Sequence, residues 1–185
     1  MSISIAAYNA EKWIERCLDS FCIPEIAADI EVIIVNDGST DHTEQYAHKY
    51  VVLYPDIFRL INKKNGGHGS TINVGIKKAC GKYFKIVDAD DWVEKEGLID
   101  LVNTLKTVEV DAVLSPYYEV NAGNFKKTLR CNAKNVGNTS DNKICDVESI
   151  SGKFDICMHA LTYRTRLLQE NFTPIDEHCF WCLKC

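Results

Sequence analysis

Four apolar runs of five residues constrain this chain more than any other feature. They are "SISIA" (2–6), "EVIIV" (31–35), "IFRLI" (57–61) and "YFKIV" (83–87), each followed by a polar or glycine-bearing stretch and then by a segment with helical spacing. After the first run, Asn9 is placed to cap a helix in which Ile14, Cys17, Leu18 and Phe21 recur on one face. After the second, Asp41 and Glu44 have the spacing of a cap with a reach-back partner. After the third, a helix is expected from about Thr71, apolar at Ile72, Ile76 and Ala79 and stopped by Gly81. After the fourth, Leu98, Leu101, Val102, Leu105 and Val108 form one stripe, and "DAVLS" (111–115) reads as a fifth strand. This alternation predicts an α/β fold with right-handed crossovers and a mostly parallel sheet covered by helices on both faces. Such sheets bind ligands at the carboxyl ends of their strands. The unusual polar stretches all fall there: "AAYN", "NDGSTD", "NKKNGGHGS" and "DADD".

The second half changes character. "YYEVNAGNFKKTL" reads as an antiparallel hairpin turning around 121–124, and "CNAKNVGNTSDNK" as a polar loop. "CMHALTY" (157–163) is expected to be a strand and "RTRLLQEN" a short helix, so the whole reads as one mixed α/β domain with an irregular second half.

Composition narrows the function classes. A chain of 185 residues, 46% hydrophobic and 25% charged, can bury one sizeable core. A formal charge of −5 argues against binding nucleic acid through bulk charge. No stretch approaches the roughly 20 apolar residues of a membrane span. "MSISIAAYNAEKW" turns polar too quickly for an export signal, so a cytoplasmic location is expected. Of the nine cysteines, Cys17, Cys22, Cys80, Cys131, Cys145 and Cys157 are scattered and read as reduced thiols, mostly small core residues. Cys179, Cys182 and Cys185 have a C-x₂-C-x₂-C spacing beside His178, which could hold zinc or part of an iron–sulfur cluster. The second knuckle or fourth thiolate that either would need is not evident.

The acids carry the chemistry. Asp88, Asp90 and Asp91 crowd the end of an apolar run, where a pair at about 4 Å repels by roughly 4 kcal/mol at an effective dielectric near 20. A divalent cation turns that repulsion into attraction, and hard oxygen ligands suit Mg²⁺ or Mn²⁺. The competing reading is an acidic helix start favoured by the helix dipole. In "VNDGST", Gly38 serves the turn and Ser39, Thr40 or Asp41 the cap, while Asp37 could accept hydrogen bonds from a base or sugar. Gly66, Gly67 and Gly69 could bring backbone amides close to an anion, but the phosphate-binding lysine and the dinucleotide glycine spacing are both missing. His68 is left without a role, and His159 reads as a core histidine.

Taken in order, "SIAAYNAEKWIERCLDSF", "EVIIVNDGSTDHT" and "NGGHGSTINVGIKKACGKYFKIVDADDWV" resemble the family 2 glycosyltransferases, inverting enzymes of GT-A fold that use nucleotide-diphosphate sugars. "VLSPYYEV" and "MHALTYRTRLLQEN" resemble the acceptor side of bacterial members that build capsular or other surface polysaccharides. The resemblance implies a nucleotide-sugar half over 1–116 and an acceptor-side half over 117–185. It implies that Ala6, Ala7 and Tyr8 hold the base and that Asp37 hydrogen-bonds it, with uracil and hence a UDP-sugar expected. It further implies that Asp88 and Asp90 form the D-x-D pair facing ribose and a diphosphate-bound Mg²⁺ or Mn²⁺, with Asp91 as the extra acid beside them. The acceptor implied is a glycan or lipid-linked chain, reached from the inner face of a membrane. Three departures stand out: Ala6 replaces a proline, Ile72 replaces an arginine before Asn73, and the general base is absent where expected. The base position falls near Leu183, in "IDEHCFWCLKC", where the chain ends; Asp91, Asp176 and Glu177 are the remaining acids that could serve. The expectation is a transferase whose acceptor half is cut short. The alternatives are a nucleotide-sugar-binding fragment without turnover, and a haloacid-dehalogenase-like phosphatase, whose D-x-D would belong on the first strand rather than the fourth.

Overall fold

The computed structural model describes residues 1–121, 123, 126–130 and 158–175. The four apolar runs become β1 (Ser2–Ala7), β2 (Glu31–Asn36), β3 (Phe58–Asn62) and β4 (Tyr83–Asp88). All four are parallel: β1 lies between β2 and β4, and β3 flanks β2. The crossovers carry α1 (Ile14–Asp19), α2 (Thr43–Leu53), α3 (His68–Lys78) and α4 (Lys95–Thr107). Beyond them come β5 (Ala112–Leu114), the antiparallel hairpin β6 (Tyr117–Val120) and β7 (Lys127–Arg130), then β8 (Leu161–Arg164) and α5 (Thr165–Glu170).

Strand alternation sorts the core into two layers. Ile3, Ile5, Val32, Ile34 and Val87 meet Ile14 and Leu18 of α1, Ala47 of α2 and Leu98 of α4. Ile33, Val35, Phe84 and Ile86 on the opposite face meet Ile72 and Ile76 of α3. The expected double covering is therefore present. α3 lies very close to β1, because a Cβ at Gly75 would stand 2.1 Å from the Ser4 hydroxyl. That close approach carries the start of α3 towards the strand ends where the site is built.

Several local expectations change. α3 begins at His68 rather than Thr71, after Gly67 takes a positive φ of 84° that side-chain-bearing residues avoid. Asn9 does not cap its own helix: it sits at φ 48° and its side-chain oxygen accepts from the Thr40 amide at 2.8 Å, knitting the first two strand ends together. Asp41 stands one residue before the N-cap His42 and accepts from the Thr43 amide at 3.0 Å, while Glu44 turns away to accept from the Asn62 amide group at 2.7 Å. Cys17 is buried as expected, whereas Cys80 is exposed; these two and Cys22 are free thiols. The other six cysteines lie outside the described residues.

The larger difference concerns strand order, β3-β2-β1-β4-β8-β5. The expected strand over 157–163 divides: Met158–Ala160 form a 3₁₀ turn and the strand runs from Leu161. It enters antiparallel beside β4, with Phe84 opposite Tyr163, and separates β4 from β5. Residues distant in sequence are thereby brought to the end of β4.

Candidate functional site

The carboxyl ends of β1 to β4 form a connected rim. Ala6 pairs with Val35 and with Asp88, so the first strand lies between the two acidic loops. Ala7 is buried, and Tyr8, one residue beyond β1, is 54% exposed. The Asp37 amide donates to the Ala7 carbonyl at 2.9 Å, continuing the ladder past the strand.

Asp37 is locked inside this rim. Its side chain is 3% exposed. One carboxylate oxygen accepts from the Lys63 ammonium and from the Gly66 amide at 3.0 Å, and the other accepts from the Gly67 amide at 2.8 Å. Lys63 also donates to the Ser70 hydroxyl at 2.7 Å. Asp37 thus pins the glycine loop after β3 to the end of β2. A base could reach only the remaining lone pair of the second oxygen.

The cluster after β4 is built differently. The Asp91 amide donates to the Asp88 carbonyl at 3.0 Å, closing a tight turn. Such a turn brings its first and fourth residues together and throws the third outward. Asp88 and Asp91 accordingly converge, while Asp90 is exposed. Of the expected Asp88–Asp90 pair, the group of three gathered here includes Asp88 and not Asp90. Asp88, Asp91 and His159 offer ligand atoms that all lie within 4.8 Å of one another. His159 is no core residue, as its sequence neighbours suggested: it is half-buried on the 3₁₀ turn before β8, edge-on to Tyr117 with ring centroids 5.5 Å apart. Nothing local in the sequence points to it; only the insertion of β8 beside β4 brings it there.

The charges around this cluster are compatible with a bound cation. Burial first, and then the charges of Asp88 and Asp90, hold the Asp91 carboxyl above the usual carboxylate range. His68, given no role from sequence, places a ring nitrogen 2.8 Å from an Asp88 oxygen, and that hydrogen bond raises the pKa of its imidazole. Arg16 lies 3.4 Å over the Trp92 ring, flanking the turn from α1. The donor set of two carboxylates and an imidazole suits a divalent ion that takes oxygen and nitrogen ligands, such as Mn²⁺ or Mg²⁺.

Lys85 stands in the sequence as a charge inside an apolar run, with no local signal of a role. It is 7% exposed, and its ammonium donates to the His159 carbonyl at 2.5 Å. Burial pushes its pKa down to about 8. Asp176 and Glu177, the other acids considered as a base, lie outside the described residues, as do Cys179, Cys182 and Cys185.

Known proteins resemble this chain in sequence and in fold. EpsJ of Bacillus subtilis (strain 168), an uncharacterized glycosyltransferase, is 37% identical over 119 residues, which are 64% of this chain and 34% of EpsJ. Chondroitin synthase of Pasteurella multocida (strain Pm70) is 37% identical over 121 residues, 65% of this chain and 12% of that protein. The structure of S. aureus TarS 1-349 in complex with UDP-GlcNAc superposes with a TM-score of 0.72 at 27% identity, covering 92% of this chain and 46% of that one. The chain therefore spans about a third of EpsJ and under half of that TarS chain. The profile of glycosyl transferase family 2 matches residues 2–172, nearly the whole described length, and the chain belongs to that family.

Proposed function

We propose that the rim at the ends of β1 to β4 binds a nucleotide-diphosphate sugar, with UDP as the nucleotide, and that Asp88, Asp91 and His159 hold a Mg²⁺ or Mn²⁺ ion against its diphosphate. The observation that carries this reading is the convergence of those three ligand groups at the end of β4. The UDP-GlcNAc complex of TarS supports the donor class. A cation held there would stabilise the negative charge that develops on the diphosphate as the sugar–phosphate bond breaks.

The chain's own residues divide the remaining work. Tyr8 offers an exposed ring to the base, with Ala6 and Ala7 behind it. Asp37 keeps the glycine loop in place and presents one lone pair towards the base. His68 shares Asp88 and orients that carboxylate, as outer partners of metal ligands do. Asp90, at the corner of the turn, faces solvent beside the ribose side. Residues 1–116, joined by His159, form the donor half in this reading, and the rest of 117–185 belongs to the acceptor side.

The reaction proposed is inverting transfer of the sugar to a glycan or lipid-linked acceptor of a surface polysaccharide. The kinship with a chondroitin synthase favours a glycan. Inversion requires a base that takes the acceptor proton opposite the departing diphosphate. Asp91 serves as ligand in this reading, leaving Asp176 and Glu177 as the candidate bases. Among the described residues no helix is long and apolar enough to cross a membrane.

Calorimetric titration of UDP, with and without Mn²⁺, tests the reading in the wild type and in Asp91→Asn. Binding that depends on Mn²⁺ and is lost in Asp91→Asn is expected. Equal binding without metal, or none in a protein that still melts cooperatively, refutes it.

A further inference from the structure

Among the described residues, Lys85 is the one buried ammonium, and it stands inside the sheet. It stands in the middle of β4, three residues before Asp88, between Phe84 and Ile86, and on the antiparallel ladder it faces Thr162 of β8. An apolar side chain would cost less there, since a buried charge is expensive unless it is well paired. Its ammonium donates to a main-chain carbonyl, and that carbonyl belongs to His159, a residue 74 positions away. Beside it the Thr162 hydroxyl is buried without a hydrogen-bond partner, a second sign that this spot is not optimised for stability alone.

The consequence lies at the site. His159 sits on a single 3₁₀ turn, and β8 starts only after Ala160. The Ser115 amide grips the Ala160 carbonyl at 2.7 Å from the β5 side, and Lys85 grips the His159 carbonyl from the β4 side. Between them the turn is fixed on both flanks, and the imidazole is held beside Asp88 and Asp91. We propose that Lys85 is a positioning residue: its buried ammonium anchors the His159 turn to β4 and so preorganises the imidazole for the cation that the carboxylates of the next turn attract. This rests on the reading of Asp88, Asp91 and His159 as a metal site. Preorganisation of a ligand by an outer partner is worth about tenfold to a hundredfold in metal affinity.

The test is Mn²⁺ binding to the full chain, followed by the paramagnetic resonance signal of the free ion, with no nucleotide or acceptor present. The proteins are the wild type, Lys85→Met, His159→Ala and the double variant. Lys85→Met is expected to weaken Mn²⁺ about tenfold while melting within a few degrees of the wild type. In the double variant the Lys85 change should add nothing to His159→Ala, because the lysine acts through that histidine. Unchanged affinity in Lys85→Met overturns the proposal, and so does a full additional loss on top of His159→Ala. Should the Met variant not fold, Lys85→Gln replaces it. The Gln amide is one bond shorter than the ammonium and should also lose the carbonyl, so wild-type affinity in that variant overturns the proposal. Failure of the underlying site reading is seen elsewhere, as a wild type that binds no Mn²⁺ or a His159→Ala variant that binds it as well as the wild type.

Discussion

Two carboxylate clusters stand at the ends of parallel strands, one strand apart, and they are opposites. After β2, Asp37 is buried and both its oxygens are taken, by Lys63 and by two loop amides. After β4, Asp88 and Asp91 face each other with one imidazole at Asp88 and another within ligand reach, and Asp91 resists ionisation. The first cluster is satisfied within the fold and spends its charge on holding a loop. The second is eased only in part, by the His68 imidazole at Asp88 and by the raised pKa of Asp91, and a further positive charge would ease it more. In the reading proposed above, acids alike in sequence thus do different work: Asp37 chiefly holds a loop, with one lone pair left for a base, and Asp88 and Asp91 hold a cation.

The largest effect that could break this contrast is on stability. Asp37→Ala leaves Lys63 without its carboxylate and the Gly66 and Gly67 amides without acceptors. A loss of about 3 kcal/mol is expected, at the lower end for a broken pair because Lys63 is 20% exposed. For a chain of this length that lowers the melting temperature by roughly 6–12 °C. A melting curve matching the wild type would mean that Asp37 does not hold the loop.

Lys85 sharpens the contrast, being a buried charge with no carboxylate to neutralise it. Its folded pKa lies below its unfolded value, so the burial cost is fully present below about pH 8 and disappears as pH rises to lysine's ordinary range, where the unfolded chain loses its proton too. The stability of the wild type relative to Lys85→Met should therefore rise by up to about 3 kcal/mol between pH 8 and pH 10.5. Urea titrations at both pH values measure it, and a constant gap would mean that the lysine is solvated.

Next in size is the site itself. Asp88→Asn should weaken Mn²⁺-dependent UDP binding at least tenfold, about 1.4 kcal/mol, while leaving the melting temperature unchanged or raised because the repulsion with Asp91 is gone. A variant that melts well below the wild type would mean that Asp88 holds the fold instead. The smallest effect separates the two acids of the D-x-D pair: Asp90→Asn, at the exposed corner, should change Mn²⁺ affinity less than about threefold, or roughly 0.6 kcal/mol. A loss equal to that of Asp88→Asn would restore the pairing expected from sequence.

Much of the fold was legible because it is local. Apolar runs followed by helical stripes specify which segments are strands and which are helices, with helix starts less exact, as α3 beginning at His68 shows, and the strands at 117–120 and 127–130 pair as their spacing suggests. Gly75 shows where legibility ends. Its sequence context reads as ordinary helix, and only the packed structure reveals that Ser4 leaves no room for a side chain. The site was half legible. Asp88 and Asp91 stood out through charge density, but which of three acids converge depends on a turn closed by the Asp91 amide. His68 was visible only as a residue in a glycine loop, since its partner is an acid 20 positions later.

By itself the sequence determined the α/β alternation, the polar rim at the strand ends and the excess of negative charge after β4. Those properties come from residues within a few positions of one another, where periodicity and charge spacing act directly. The tertiary structure alone decided that β8 enters antiparallel between β4 and β5, that Asp37 is neutralised by Lys63, and that a buried lysine holds His159 beside two aspartates. Each of those contacts joins segments far apart in the chain, and a pairing of that kind is chosen by competition among whole packed arrangements, which no local pattern encodes.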